Sequence, residues 1–273
     1  MIKNFIKYQS LGNNFVVYDW YAQPENYIQK IIHDASWRAF VIEICNRNTG
    51  VGADGVLILK RFEQDEIPEM LIFNADGTQA ESCLNGLRCV THYLVTEYNF
   101  PAKFSIKLGK RMILCEIEQD TQDILITNNV GPINYEGIKT VTIFEGTFQG
   151  HVASIGNPHF IIFEKIELPW LQQFGALLES HEAFPNKSNI EFVWEESHAR
   201  YHVLVYERGC GITQACSSGA AAIVGTLLHL NKIEINQKIE LIMLGGSVIG
   251  WADQNKNVFL TAGADMIFTG TLS

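Results

Sequence analysis

Apolar positions in this chain fall mostly into short runs bounded by glycine, asparagine and other turn formers, the pattern of β-strands. Such runs lie at residues 5–8, 15–19, 56–59, 70–73, 104–108, 112–117 and 124–127 in the first half. In the second half they lie at 139–144, 151–155, 160–163, 189–193, 203–206, 239–249 and 258–261, and Met266, Ile267 and Phe268 close the series. Residues 28–47 read as one helix, with Ile28, Ile31, Ile32 and Ala35 on one face and Phe40, Ile44 and Arg47 on another. Leu168–Glu179 reads as a second helix. Two further helices are predicted directly after a cysteine. Behind Cys83, Leu87, Val90 and Leu94 recur at i, i+3 and i+7; behind Cys216, the small residues of SSGAAA open a segment running to Leu228. Many short strands with one central helix per half predict an α+β fold, each helix wrapped by a curled sheet.

The two cysteine stretches share one design: apolar strand, Gly-containing polar loop, cysteine, helix. Phe73 and Tyr206, Asn74 and Glu207, and Cys83 and Cys216 are all separated by 133 positions. GNNFVV from Gly12 and GNPHFII from Gly156 echo one another as well. The halves read as two copies of a unit, with the boundary near residue 129 (1–128 and 129–264) and a cleft between them. Taken locally, Asn13 is a turn residue that tolerates a left-handed backbone. The sequence TGVGADG lacks the Lys-Ser/Thr of a phosphate-binding loop and reads as a loop entering the strand at 56–59.

Composition narrows the class. At 273 residues, 47% hydrophobic and 18% charged, the chain has ample core for two domains. A net charge of −10 gives no basic footprint for nucleic acid or an anionic membrane, and no apolar run approaches a membrane span. Six cysteines without an apolar secretion signal at the first residues predict reduced thiols in a cytoplasm.

A cysteine at a helix mouth sits among N–H groups with no acceptor inside the helix and at the positive end of the helix dipole, and both stabilise a thiolate. Four readings of the thiols compete. Burial as inert structural thiols suits Cys45, Cys89 and Cys115. Zinc fits poorly: the pairs Cys83/Cys89 and Cys210/Cys216 are spaced C-x5-C, wider than usual zinc spacings, and have no nearby histidine pair. A nucleophilic cysteine with His159 as base does not explain two equivalent cysteines. Proton transfer by a pair does: one thiolate removes a proton from one face of a carbon, and one thiol returns a proton to the other. Helix ends also hold a carboxylate through backbone N–H groups, as an amino acid's α-carboxylate requires. No pyridoxal phosphate site is evident, so neither cofactor nor metal is expected.

GNNF, TGVGADGVL, FNADGTQAESCLNGLRC, GNPH, SNIEF, YERGCGITQACSSG and GGSVIGW, in this order along essentially the whole chain, resemble the diaminopimelate epimerase family. The resemblance implies two pseudo-symmetric domains, each a curled, mostly antiparallel sheet around a central helix. It also implies cofactor-free interconversion of LL- and meso-2,6-diaminopimelate for lysine and peptidoglycan precursors, and a cytoplasmic homodimer. Residues 265–273 are implied to return to the first domain. Cys83 and Cys216 would be the two acid/base thiols. Asn13, Asn74, Asn157, Asn189 and Arg208 would contact substrate, with Glu207 near the amine. An Arg offers a carboxylate a forked hydrogen bond. The backbone N–H groups of Leu84, Asn85, Ser217 and Ser218 would hold the reacting carboxylate. His159 and Glu207 resemble residues that tune the cysteines; their plain alternatives are a satisfied histidine and a loop salt bridge with Arg208.

The chain departs from the family pattern in three places. Asn14 stands where the family usually has Asp, Leu84 at the first glycine of Cys-Gly-Asn-Gly, and Ser217 at the glycine after the second cysteine. Leu84 at a positive φ would strain the loop. Three alternatives follow: an epimerase or racemase for another amino acid, a non-catalytic amino-acid-binding homologue, and a redox switch in which the two cysteines form a disulfide. Cys210 reads as an incidental thiol.

Overall fold

The computed structural model describes residues 4–62, 67–80, 82–119 and 124–272, so Ser273, part of the expected returning segment, lies outside the described residues. The chain divides into two compact units, Met1–Asn128 with Ala262–Ser273, and Asn129–Thr261. The return to the first unit thus begins at Ala262, not at residue 265.

The first unit contains β1 (Asn4–Ser10), β2 (Asn13–Asp19), α1 (Glu25–Ile32), α2 (Trp37–Cys45), β3 (Gly55–Arg61), β4 (Pro68–Asn74), β5 (Gln79–Ala80) and α3 (Leu84–Tyr98). It continues with β6 (Lys103–Leu108), β7 (Arg111–Gln119) and β8 (Ile124–Gly131). The second contains β9 (Asn134–Ile143), β10 (Gly146–Ser154), β11 (Pro158–Ile162), α4 (Leu168–Glu179), β12 (Asn189–Ser197), β13 (Arg200–Glu207) and β14 (Gly211–Ile212). It closes with α5 (Ser217–His229), β15 (Ile239–Met243), β16 (Gly246–Ala252) and β17 (Val258–Gly263); β18 (Asp265–Thr271) belongs to the first unit.

Strand pairing repeats step for step. In the first unit β18 pairs antiparallel with β1, β1 with β2, β2 parallel with β3, and β3 antiparallel with β4. In the second, β9, β10, β11, β12 and β13 take the same places with the same polarities. Beyond these, β4 runs parallel to β6 and β13 to β15, and antiparallel β6–β7–β8 matches β15–β16–β17. Both are mixed, mostly antiparallel sheets. The last strand of the chain therefore completes the first unit as β9 completes the second.

Helix α3 touches β1, β2, β3, β4, β6 and β18, and α5 touches β9, β10, β11 and β16, so each is the helix its sheet curls around. In α5 Ala220, Ala221, Ala222, Ile223, Val224 and Leu227 are all fully buried, which a helix apolar all round requires. Each large aliphatic side chain there contributes roughly 1.5–3 kcal/mol by leaving water. Separate cores lie beneath the outer helices. Tyr18, Trp20, Trp37, Val56 and Phe73 form the first, and Phe160, Leu171, Leu178, Ile190 and Phe192 the second.

Two predicted elements are each two. The helix over residues 28–47 breaks between α1 and α2, because Asp34 Oδ1 takes the Ser36 N–H at 2.9 Å and its hydroxyl at 2.6 Å. That local side-chain bond competes with the helical one. The strand over residues 239–249 is the hairpin β15–β16, turning before Gly246, whose φ of 136° suits glycine.

Candidate active site

Each central helix begins one residue after its cysteine. Cys83 is the N-cap of α3 and Cys216 the N-cap of α5, both with extended backbone. The Gly86 N–H donates to Cys83 Sγ at 3.3 Å, and the Gly219 N–H donates to Cys216 Sγ at 3.3 Å. In both helices the next N–H caps the cysteine carbonyl, from Leu87 to Cys83 O and from Ala220 to Cys216 O, each at 2.9 Å. A sulfur takes the place usually held by a Ser or Asp oxygen, and the first-turn N–H groups bring partial positive charge to it.

Around Cys83 the first unit is polar in a fully buried place. Arg88, 0% exposed, donates from Nε to Ser10 Oγ at 2.9 Å and from Nη2 to Asn85 Oδ1. Burial lowers the guanidinium to about 10, while the nearby Cys89 and Cys83 thiols act to raise it. Ser10 in turn donates to Gly263 O at 2.7 Å. Arg88 so ties the β1–β2 turn, which precedes Asn13, to the mouth of α3. Asn13 is the first residue of β2, and the left-handed positions of that turn are Leu11 and Gly12, with φ of 52° and 77°. Its reading as the left-handed turn residue is corrected: the sharp bend is complete before Asn13, which must be extended to pair with Ser10. Asn74, at the end of β4, donates to Thr78 Oγ1 at 3.1 Å. Leu84 is the first helical residue of α3, buried, and not among the described residues with positive φ, so it fits its place without backbone strain. Asn14 accepts from Lys7 Nζ at 2.5 Å and donates from Nδ2 to Asp54 Oδ2 at 3.3 Å. An Asp there would serve the lysine but oppose Asp54.

The second unit gathers its expected residues closely. Asn157 Nδ2 donates to Ser218 Oγ at 3.2 Å, and Ser218 Oγ lies 3.4 Å from Cys216 Sγ. Asn189 donates to Pro158 O at 2.8 Å and accepts the Arg208 N–H at 2.9 Å. The exposed Arg208 side chain sends Nη1 to Asn186 O at 3.2 Å. Glu207 accepts from Thr213 Oγ1. His159, 0% exposed, meets Glu191, also 0% exposed, at 2.6 Å between Nδ1 and Oε1. Ser217 is the first residue of α5 and buried.

Charge is distributed unevenly. Burial, and then the charges of Glu207 and Glu191, push the Cys216 thiol well above its ordinary range, against donation from Ser218 and the Gly219 N–H. Burial also raises Glu207, against hydrogen bonds from Thr213 and Cys216. Cys45 and Cys115 are pushed up to about 11 by burial, and Cys89 further in the same direction, as inert thiols are. Among the described residues no cluster of His, Cys, Asp or Glu is arranged to hold a metal ion, and no helix is long and apolar enough to cross a membrane.

Sequence reasoning singled out neither Arg88 nor Glu191. Each had a signal: a charge inside an otherwise apolar periodic segment, LNGLRCVTHYL and NIEFV respectively. Lys and Arg, Asp and Glu are rarely fully buried without a partner or a task.

Comparison with known proteins places the chain in a family. The family described as "Diaminopimelate epimerase" matches residues 5–136 and 151–267. A diaminopimelate epimerase of Carboxydothermus hydrogenoformans is 34% identical over 97% of this chain and 98% of its own. Another, of Prochlorococcus marinus, is 32% identical over 100% and 99%. The fold is also that of a crystal structure of a hydroxyproline epimerase from Agrobacterium vitis, with a TM-score of 0.77 at 11% identity, covering 99% of this chain and 90% of that one. With near full-length matches and a cysteine capping each central helix, the chain is an amino-acid epimerase and belongs to the diaminopimelate epimerase family.

Proposed function

We propose that the protein interconverts LL- and meso-2,6-diaminopimelate by passing protons between two thiols, in the supply of lysine and peptidoglycan precursors in a bacterial cytoplasm. The observation that supports this reading is the equivalence of Cys83 and Cys216, each capping the central helix of a topologically matching unit. In the cycle, one thiolate removes the α-proton, so that a C–H bond breaks and an S–H bond forms. The other thiol then gives its proton to the opposite face of the carbanion. Burial, and then the charges of Glu207 and Glu191, favour the thiol form of Cys216, so Cys216 starts as the acid and Cys83 as the base.

The first-turn N–H groups at Leu84, Asn85, Ser217 and Ser218 would receive the α-carboxylate, where negative charge grows as the proton leaves. Asn13, Asn74, Asn157, Asn189 and Arg208 would fix the rest of the substrate, with Arg208 on the distant carboxylate and Glu207 near the amine. The cycle as written needs no cofactor. Met266, Ile267 and Phe268 on β18 are each about half exposed, which supports a homodimer through this strand.

The test is incubation of reduced protein with LL-diaminopimelate beside other amino acids, with chiral separation of the products. Growth of the meso isomer is expected. Inversion of another amino acid alone would move the substrate, and no inversion of any would refute the activity.

A further inference from the structure

Glu191 lies on β12, where Ile190 and Phe192 enter the apolar core and the whole stretch Asn189 to Val193 is buried. A carboxylate on such a strand is a poor choice for stability, since a neutral side chain of the same shape avoids the loss of hydration. Its surroundings suggest what the charge does. Oε1 is 2.6 Å from His159 Nδ1. A Cβ built on Gly219 would fall 2.7 Å from that same oxygen and 3.3 Å from Glu191 Cγ and Cδ. The carboxylate is therefore pressed against the first turn of α5, at the residue whose N–H donates to Cys216 Sγ. His159 Nε2 is buried with no hydrogen-bond partner among the described residues, and the Nδ1 contact decides which ring nitrogen is left in that state.

We propose that Glu191 is a positioning residue of this site: one oxygen fixes the His159 ring, and its charge against the first turn of α5 keeps Cys216 a thiol. The inference rests on the two-thiol reading and deepens it. A two-thiol pair works only while one member keeps its proton, and two equivalent helix mouths would by themselves treat the cysteines alike. The groups facing Cys216 break that symmetry. Glu207 approaches from the end of β13 and Glu191 from β12, with His159 of β11 behind it; Ser218 and the Gly219 N–H approach from α5 itself. The two carboxylates oppose a thiolate there.

The experiment is alkylation of the reduced full chain with iodoacetamide across a pH series, with peptide mass spectrometry scoring each cysteine separately. The midpoint of each profile is read, so differences in accessibility cancel. In the wild type the Cys216 midpoint is expected above that of Cys83; the reverse order would overturn the proposal without any variant. Glu191→Gln is expected to lower the Cys216 midpoint by about one unit, or about tenfold faster alkylation below the wild-type midpoint. Glu191→Asp, which keeps the charge, is expected to leave that midpoint near wild type. An unmoved midpoint in Glu191→Gln, or an equal shift in Glu191→Asp, would overturn it. Failure of the epimerase reading is separate: it would appear as no exchange of any amino acid's α-hydrogen while the alkylation order stood.

Discussion

Gly86 and Gly219 occupy the same place, the third residue of α3 and of α5, and each donates its N–H to the capping sulfur. Neither has positive φ, so alanine suits the backbone and should gain about 1 kcal/mol of helix propensity at each. What differs is what the methyl meets. At Gly86 it would lie 2.9 and 3.2 Å from the two terminal methyls of Leu57, which turn aside at modest cost. At Gly219 it would lie 2.7 Å from Glu191 Oε1, in a carboxylate held by a buried histidine. Overpacking costs about 1–3 kcal/mol, and loosening a buried hydrogen bond about 1–3 more. Gly219→Ala should therefore lose about 1–5 kcal/mol net, and Gly86→Ala about 0–2 by the same terms. At about 2–4 °C per kcal/mol, the Tm of Gly219→Ala should fall by roughly 2–20 °C. Calorimetry of both variants, beside α-hydrogen exchange with diaminopimelate, reads the outcome. A Gly219→Ala protein that melts at or above the wild type with unchanged exchange would refute this account of the carboxylate.

Three further outcomes are expected. Burial raises the Glu207 carboxyl, so the folded state binds its proton more tightly than the unfolded chain does, and stability from this group is fully present below the unfolded value. That stability is lost as pH rises through the folded value; Glu207→Gln should thus match wild-type stability in acid, melt higher at neutral pH and lose exchange. A Tm difference independent of pH would contradict it. Arg88→Met removes the hydrogen bonds that Arg88 donates to Ser10 Oγ and Asn85 Oδ1 in a buried place, and should cost about 3 kcal/mol in urea titration, with a loss under 1 kcal/mol contradicting the role. Phe268→Asp should weaken the proposed dimer in sedimentation equilibrium, and a wild type that is monomeric throughout would remove the dimer itself.

Much of the fold was legible because the chain states it twice. The constant separation of 133 positions ties both strand–loop–cysteine–helix stretches together, and α3 and α5 do start one residue after their cysteines. Breaks set by one side chain were harder to read. The Asp34–Ser36 contact divides α1 from α2, although the apolar period runs on across it. Pairings between distant strands were illegible to periodicity: nothing in Met266, Ile267 and Phe268 says that β18 pairs with β1. At the candidate site the sequence offered residue types at spacings. It could not say that Arg88 reaches Ser10, or that Glu191 reaches both His159 and the turn at Gly219, because those contacts join positions far apart in the chain.

The central claim is that two thiols share one inversion, and heavy water tests it most directly. Reduced wild type, Cys83→Ala and Cys216→Ala are each incubated with LL-diaminopimelate in deuterium oxide, following the LL-to-meso ratio and deuterium at the inverted α-carbon. The account predicts meso product carrying solvent deuterium from the wild type and no inversion from either variant. Inversion by either single variant, or meso product without solvent deuterium, would contradict it.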